Sequence, residues 1–323
     1  MLNNRIMTEK KSLYFLTATV ILLAISSLLF GAYDIYGQAD GWQMFWITRV
    51  PRTLALLLSG MAMSICGLLM QLITQNRFAE PTTTGTVEWA GLGLVLVYAL
   101  YPAPSLIQRM TGAIIFAFIG TLIFFLILQK IKLQSSLIVP IVGIMLGAII
   151  SAVSTFIALV FSLSQSIEVW FTGSFTQMQQ GRYEYLWLIL FISLIIYKIA
   201  DKLTIISLGK DLATNLGLNY QALVLLSISL IALATGIVSS VVGQLPFLGL
   251  IVPNIVSIFR GDDLRSNLPH VCLLGMAIIT FCDIISRSII APLEVPVSLI
   301  LSSLGAGFFI LLVLKQRGGK NNG

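Results

Sequence analysis

Long apolar segments separated by short polar stretches run along the whole chain. A helix needs roughly 20 apolar residues to cross a bilayer, and ten segments reach or approach that length. The third, sixth and eighth are short or broken, and Pro246 and Pro253 in the eighth are typical of a half-helix or re-entrant segment. The ten segments cover residues 13–32, 53–75, 85–101, 111–129, 137–161, 185–201, 221–243, 246–259, 268–290 and 295–314.

The composition agrees with this pattern. Of 323 residues, 57% are hydrophobic and only 10% are charged, whereas a soluble domain usually carries about 25% charged residues. We therefore predict an all-α polytopic membrane protein with one transmembrane domain over residues 1–323. The net charge of +6 does not indicate nucleic-acid binding, because the basic residues are spread between apolar segments.

The distribution of basic residues predicts the topology. Ten crossings place both termini on one side, and 14 of the 19 Lys and Arg residues then fall on that side. The positive-inside rule makes it the cytoplasmic side of the plasma membrane, with tails at 1–12 and 315–323. The first segment lacks a small-residue cleavage motif, so we expect a retained helix. The outer side holds Arg49, Arg52, Arg109, Arg182 and Arg287.

Arg49 and Arg52 are unusual in their position, because positive charge is normally depleted outside. Pro51 between them limits the freedom of the backbone. The pair predicts a surface that meets an acidic partner outside the cell. Anchoring of snorkelling side chains at the interface is the alternative.

An inner polar segment, 202–220, has leucines at helical spacing. Leu208, Leu212 and Leu216 recur every four residues, with Gly209 and Gly217 at the edges. This pattern predicts a short amphipathic helix on the cytoplasmic side. It is either a linker helix on the membrane surface or a docking helix for a soluble partner.

Catalytic and metal-binding motifs are absent from the sequence. There is no CxxC pair, no phosphate-binding loop and only one histidine, His270, for which a capping or interfacial role is expected. We therefore expect no metal, no cofactor and no enzymatic activity. If ATP drives transport, another chain must bind it.

Three carboxylates lie in or beside apolar segments. Because a charge inside a membrane is energetically costly, such residues are candidates for a functional role. Asp283 and Arg287 are four residues apart and can pair. Glu80, before Pro81, is expected to satisfy freed backbone groups. Glu88 faces either a central pathway or a helix contact. Proton coupling through Glu88 or Asp283 would define a secondary transporter, which is the alternative class.

A weak internal repeat also appears. The stretch 74–81 follows the second segment much as 243–249 follows the seventh. Because five segments separate them, such repeats would be inverted, which is a transporter architecture.

Ordered motifs along nearly the whole chain resemble the permease subunits of iron–siderophore and cobalamin ABC importers, the FecCD family. Each motif is weakly specific, whereas the ordered set is highly specific. The matching stretches are 49–52, 67–71, 74–81, 142–147, 170–174, 208–217, 247–254, Asp283 with Arg287, 294–297 and 304–306.

This resemblance implies a ten-helix, cobalamin-importer permease-like subunit. It implies a second permease subunit, identical or related, two cytoplasmic ATPase subunits and an extracytoplasmic substrate-binding lipoprotein. Arg49, Arg52 and Arg287 would meet glutamates on the two lobes of that lipoprotein. The cytoplasmic gate would lie at Ser135, Ser136 and Leu137. The coupling helix to the ATPase would comprise Leu208, Gly209, Asp211, Leu212, Ala213, Leu216 and Gly217.

The chain departs from the family pattern beside the expected pathway. Residues 76–81 read Asn-Arg-Phe-Ala-Glu-Pro where the family often has Asn-Pro-Leu-Ala-Asp-Pro, and Asn254 replaces a frequent histidine. The stretch 84–90 looks like that of some catecholate-type siderophore permeases. The sequence therefore predicts a ferric-siderophore importer permease, with a cobalamin or haem importer permease as the alternative.

Overall fold

The computed structural model describes residues 2–31, 40–131, 136–164, 171–261, 263–290 and 293–320. A four-residue helix, Gly41–Met44, and a π-helical turn, Phe45–Arg49, lead into the second long helix. A 3-10 turn, Tyr183–Trp187, leads into the sixth. The other helices are α1 (Leu2–Leu29), α2 (Val50–Thr74), α3 (Thr86–Leu100), α4 (Leu106–Lys130), α5 (Ile138–Val160), α6 (Leu188–Ile206), α7 (Lys210–Asn215), α8 (Tyr220–Val241), α9 (Leu248–Arg260), α10 (Leu264–Ser288) and α11 (Val297–Lys320).

Each of the ten predicted segments corresponds to one helix, and α7 is the short helix predicted between the sixth and seventh. Within the described residues, seven helices are long and apolar enough to cross a membrane. The helices α3 and α9 are shorter and apolar. The all-α polytopic class is thus confirmed. The residues predicted as terminal tails are helical where the structure describes them, because α1 begins at Leu2 and α11 ends at Lys320.

Helix α2 is the centre of the bundle. In its apolar stretch, 83% of the residues are buried, whereas the corresponding share in the other six candidate spans is 11% to 72%. Helix α2 packs against α6, α8, α9 and α10. A glycine permits its crossing with α9: a Cβ at Gly67 would lie 1.9 Å from the carbonyl oxygen of Gly249. The two backbones therefore meet directly, as small residues allow in membrane bundles.

The helix contacts repeat between two four-helix units, α2–α5 and α8–α11. Helix α2 contacts α9 and α10, and its counterpart α8 contacts α3 and α4. The contacts of α3 with α4 and α5 are likewise matched by those of α9 with α10 and α11. This exchange pattern fits the inverted-repeat architecture expected from the sequence.

The loop after α5 packs against the second four-helix unit. The Ser174 amide donates to the carbonyl oxygen of Val242 at the end of α8, with N and O 3.1 Å apart. At the start of α11, the Ser298 amide donates to the carbonyl oxygen of Gly173 at the same distance. This loop therefore borders the outer end of the bundle. We name the side that carries Arg49, Arg52 and Arg287 the outer side, following the charge-based prediction.

Candidate functional site

A buried carboxylate joins two of the predicted docking arginines. The Asp283 side chain is fully buried. Its Oδ1 lies 2.7 Å from Arg52 Nη2 on α2, and its Oδ2 lies 2.7 Å from Arg287 Nη2 one turn further along α10. Arg52 Nη1 also donates to Glu294 Oε1 at 2.9 Å. Charge-assisted bonds of this kind are the strong ones in proteins.

The same side of the molecule holds the end of α1. Arg49 Nη1 donates to the carbonyl oxygens of Leu28 and Leu29 at 2.9 and 2.8 Å. Arg287 Nη1 donates to the carbonyl oxygen of Phe30 at 2.7 Å. Helix C-termini carry partial negative charge, so these cations stabilise the last turn of α1.

The structure thus brings all three predicted arginines together. Arg49, Arg52, Arg287 and Glu294 line one outer cavity of about 190 Å³; we call these four residues the docking cluster. The side chains of Arg52 and Arg287 are only 12% and 6% exposed. The pair Asp283–Arg287 was foreseeable from its spacing, whereas the roles of Arg52 and Glu294 in the same network were not. The one signal in the sequence was that Glu294, an acidic residue, is expected on the same outer side as the arginines.

A second, larger cavity opens between α3, α5 and the start of α11. It has a volume of about 640 Å³, and Glu88 lines it together with Ser151, Thr155, Ser298 and Ser302; we call it the central cavity. The Oε2 atom of Glu88 is buried and has no hydrogen-bond partner among the described residues. Helix α5 approaches Glu88 at Gly147, where a Cβ would lie 3.3 Å from the carboxylate carbon.

The predicted gate residues lie at the start of α5. The carbonyl oxygen of Ser136 accepts a hydrogen bond from Asn76 Nδ2 at 2.6 Å, and Leu137 is the residue that precedes α5. Ser135 lies outside the described residues. The start of α5 is therefore tied to the loop that follows α2, in the first four-helix unit.

Glu80 does what the sequence suggested, because it satisfies backbone at a helix break. Its Oε1 accepts the Phe247 amide at 2.9 Å and the Thr82 hydroxyl. Phe247 precedes α9 with a left-handed φ of 62°, a strained conformation for a bulky residue. A carboxylate at a helix N-terminus is favourable, so Glu80 fixes the start of α9. The sequence did not show that α9 was its partner.

A third cavity opens at the outer ends of α3, α4 and α8. It encloses about 490 Å³, and we call it the outer pocket. Its charged lining residues are Arg109, Arg182 and Glu294, and Tyr98, Ser174, Thr176 and Gln177 add polar groups. It brings together the two outer arginines for which the sequence suggested no role.

The predicted leucines are exposed, but only Leu212 lies on α7; Leu208 and Leu216 lie in the turns on either side, because the helix is just six residues long. Leu208, Leu212 and Leu216 are 63%, 52% and 63% exposed, whereas Ala213 is fully buried; we call the three exposed leucines the leucine face of α7. Gly209 and Gly217 have φ values of 114° and 79°, so they allow the sharp turns that frame the helix. Asp211 lies in its first turn. An exposed apolar face flanked by rigid turns is suited to contact with another protein.

His270 links two helices rather than forming a reactive centre. Its Nε2 lies 2.9 Å from Ser12 Oγ, which ties the inner end of α1 to α10. Within the described residues, no group of three or more His, Cys, Asp or Glu side chains could hold a metal ion. Asn254, which stands where the resembling family often has a histidine, donates to the carbonyl oxygen of Arg77 at 2.8 Å.

Known proteins match this chain over almost its full length. Residues 12–315 match the FecCD transport family. The petrobactin import system permease FatD of Bacillus anthracis is 66% identical over 298 residues, or 92% of this chain and 89% of that protein. The petrobactin import system permease YclN of Bacillus subtilis is 40% identical over 312 residues, or 94% of this chain and 98% of that protein.

A solved structure also matches. An inward-facing metal-chelate type ABC transporter superposes with a TM-score of 0.80 and 26% identity, covering 95% of this chain and 99% of that one. Helical fold, apolar spans and sequence relatives agree that this is a multi-pass membrane protein and a transport subunit rather than an enzyme. The chain therefore belongs to the FecCD transport family.

Proposed function

We propose that this chain is the membrane-spanning permease subunit of an ATP-driven importer that moves a ferric siderophore into the cytoplasm. The observation that carries the proposal is the 66% identity over 92% of the chain to a petrobactin import permease. Ferric petrobactin is accordingly the first substrate to test. Two relatives that are named for the same siderophore favour it over cobalamin and haem.

The proposed assembly contains a second permease subunit, two cytoplasmic ATPase subunits and an outer substrate-binding lipoprotein, with both termini of this chain in the cytoplasm. The exposed leucine face of α7 supports a contact with the ATPase. The convergence of Arg49, Arg52 and Arg287 on one outer cavity supports a contact with acidic groups of the lipoprotein. The central cavity, with Glu88 in its wall, supports a path for the substrate.

In this scheme the permease performs no chemistry. ATP binding by the partner subunits and docking of the lipoprotein favour different states of the bundle, and the energetic bias comes from their differential affinities for those states. Ser135, Ser136 and Leu137 are proposed to form the inner gate, because the start of α5 is the element that Asn76 ties to the loop after α2.

The test is uptake in proteoliposomes that contain the permease complex, its ATPase and its lipoprotein. Radioactive iron supplied as ferric petrobactin is expected to accumulate only when ATP is present on the ATPase side. Cobalamin and haem, offered at the same concentration, are expected not to accumulate. ATP-independent uptake driven by a proton gradient would contradict the proposal, and so would transport of cobalamin or haem in place of ferric petrobactin.

A further inference from the structure

Two outer arginines are not part of the docking cluster, yet they face one cavity. Arg109 lies in the first turn of α4, and Arg182 lies just before the 3-10 turn that begins α6. They are 73 positions apart in the sequence. Both line the outer pocket of about 490 Å³, which is within the roughly 300–1,000 Å³ range of small-molecule sites.

Arg109 is oriented by an aromatic neighbour and keeps one donor unused. Its Nη1 donates to the Tyr98 hydroxyl at 2.9 Å, and its guanidinium carbon lies 5.8 Å from the centre of the Tyr98 ring. The Nε atom is buried and has no hydrogen-bond partner among the described residues. A buried donor on a cation is costly to leave unmet, so an anion beside the Arg109 guanidinium would be favourable.

Arg182 and several hydroxyl groups supply further donors. Arg182 Nη1 donates to Gln177 Oε1 at 2.9 Å, which orients the guanidinium beside the pocket. The hydroxyl groups of Ser174 and Thr176 lie 2.8 Å apart on the same loop. Guanidinium groups and hydroxyls together form a surface that recognises carboxylate or phenolate oxygens.

The single acidic group of this lining does not cancel the positive charge. Among the charged residues of the described lining, two are arginines and one is Glu294. The Glu294 carboxylate is already paired with Arg52 of the docking cluster at 2.9 Å. The outer pocket thus retains a positive character that attracts anions.

The outer pocket lies between the docking cluster and the central cavity. Glu294 lines both the outer pocket and the cavity of the docking cluster. Thr172 and Pro296 line both the outer pocket and the central cavity. A substrate released at the docking cluster would therefore meet Arg109 and Arg182 before it reaches Glu88.

We propose that the outer pocket is an entry site for an anionic ferric chelate, whose negatively charged oxygens bind Arg109 and Arg182. The inference rests on the proposed function and adds a charge preference to it. A catecholate group binds iron(III) as a dianion, so a complex with two or three catecholates is negatively charged, whereas the iron(III) complex of three hydroxamates is neutral. The site accordingly favours the first class of chelate.

The test is ATP-driven uptake of ferric petrobactin by the full complex in proteoliposomes, at saturating lipoprotein. Arg109→Gln combined with Arg182→Gln is expected to lower the initial rate about tenfold, because charge-assisted hydrogen bonds are lost. The loss should shrink as salt rises, since screening weakens the wild-type attraction as well. Arg109→Lys with Arg182→Lys keeps the charge and should restore part of the rate.

Two controls separate entry from docking and from general charge effects. Association of the ligand-free lipoprotein with the complex should be unchanged in the glutamine pair. Lys130→Gln removes a positive charge at the inner end of α4, the helix that carries Arg109 at its outer end, and should leave the rate unchanged. Wild-type rates in the glutamine pair, weakened lipoprotein association, no rescue by lysine, or an equal loss in Lys130→Gln would each overturn the inference. Failure of the wild-type complex to take up ferric petrobactin would instead refute the proposed function.

Discussion

Arg52 on α2 and Asp283 on α10 are bound to each other at 2.7 Å, although 231 positions separate them in the sequence. Asp283 also binds Arg287, so one buried carboxylate holds two cations. Removing one member of a buried ionic network leaves its partners uncompensated. The outer ends of α2 and α10 therefore depend on Asp283.

We expect Asp283→Asn to destabilise the protein by about 3 kcal/mol, because Arg52 and Arg287 then face each other without a shared negative charge. The measurement is thermal unfolding of the purified protein in detergent. Asp201→Asn is the matched control, since Asp201 is 62% exposed and its pairing with Arg265 is a surface ion pair. Equal shifts in the two variants would contradict the prediction.

Arg49 offers the cleaner test of lipoprotein docking. Arg52→Glu would place a third carboxylate beside Asp283 and Glu294, whereas the hydrogen bonds described for Arg49 go to backbone carbonyl groups. We expect Arg49→Glu to weaken lipoprotein binding about tenfold at low salt, and less at high salt. Surface plasmon resonance on the nanodisc-embedded complex measures this, with Lys130→Glu as the inner-side control. Unchanged affinity at low salt would reject the docking role.

The leucine face of α7 predicts that a charge placed there prevents association with the ATPase. Leu212→Asp is expected to abolish ATPase association and uptake while the permease still folds, because the side chain is 52% exposed and supports no core packing. Gly217→Pro should act similarly, since proline cannot adopt its φ of 79°. Co-purification of the ATPase measures the association. Thr214→Asp, which adds a charge on the other face, should retain it; full uptake by Leu212→Asp would disprove the assignment.

The crossing of α2 and α9 tolerates no side chain. Gly67→Ala is expected to destabilise the protein by about 1–3 kcal/mol, because its Cβ would lie 1.9 Å from the Gly249 carbonyl oxygen. Gly307→Ala on α11 is the control, since no atom lies within 4 Å of the added carbon. Thermal unfolding of both variants decides the matter, and a Gly67→Ala variant as stable as the control would refute the packing argument.

Glu88 distinguishes ATP-driven import from proton coupling. We expect Glu88→Gln to keep ATP-driven uptake, because the amide preserves the size of a residue that lines the central cavity. An uncoupler of the proton gradient should change neither the wild type nor the variant. Uptake that is lost in Glu88→Gln and is driven by a proton gradient without ATPase would instead support a secondary transporter.

Much of this architecture could be predicted from local sequence patterns. The ten helices followed from the length of the apolar segments. A short helix was expected between the sixth and seventh of them, although two of the three leucines that suggested it lie in the flanking turns. The pair Asp283–Arg287 followed from its position on one helix face. Each of these features depends on residues that are close along the chain, so its geometry is set by the helix itself.

The class of protein, its helices and the five basic residues on one side all follow from local sequence patterns. The groups that those arginines meet follow only from how the helices pack. Arg52 reaches Asp283 and Glu294 over 231 and 242 positions, and Arg109 and Arg182 come together in one outer pocket. The physical reason is that helix periodicity fixes a residue's face, whereas the packing of distant helices fixes its neighbours.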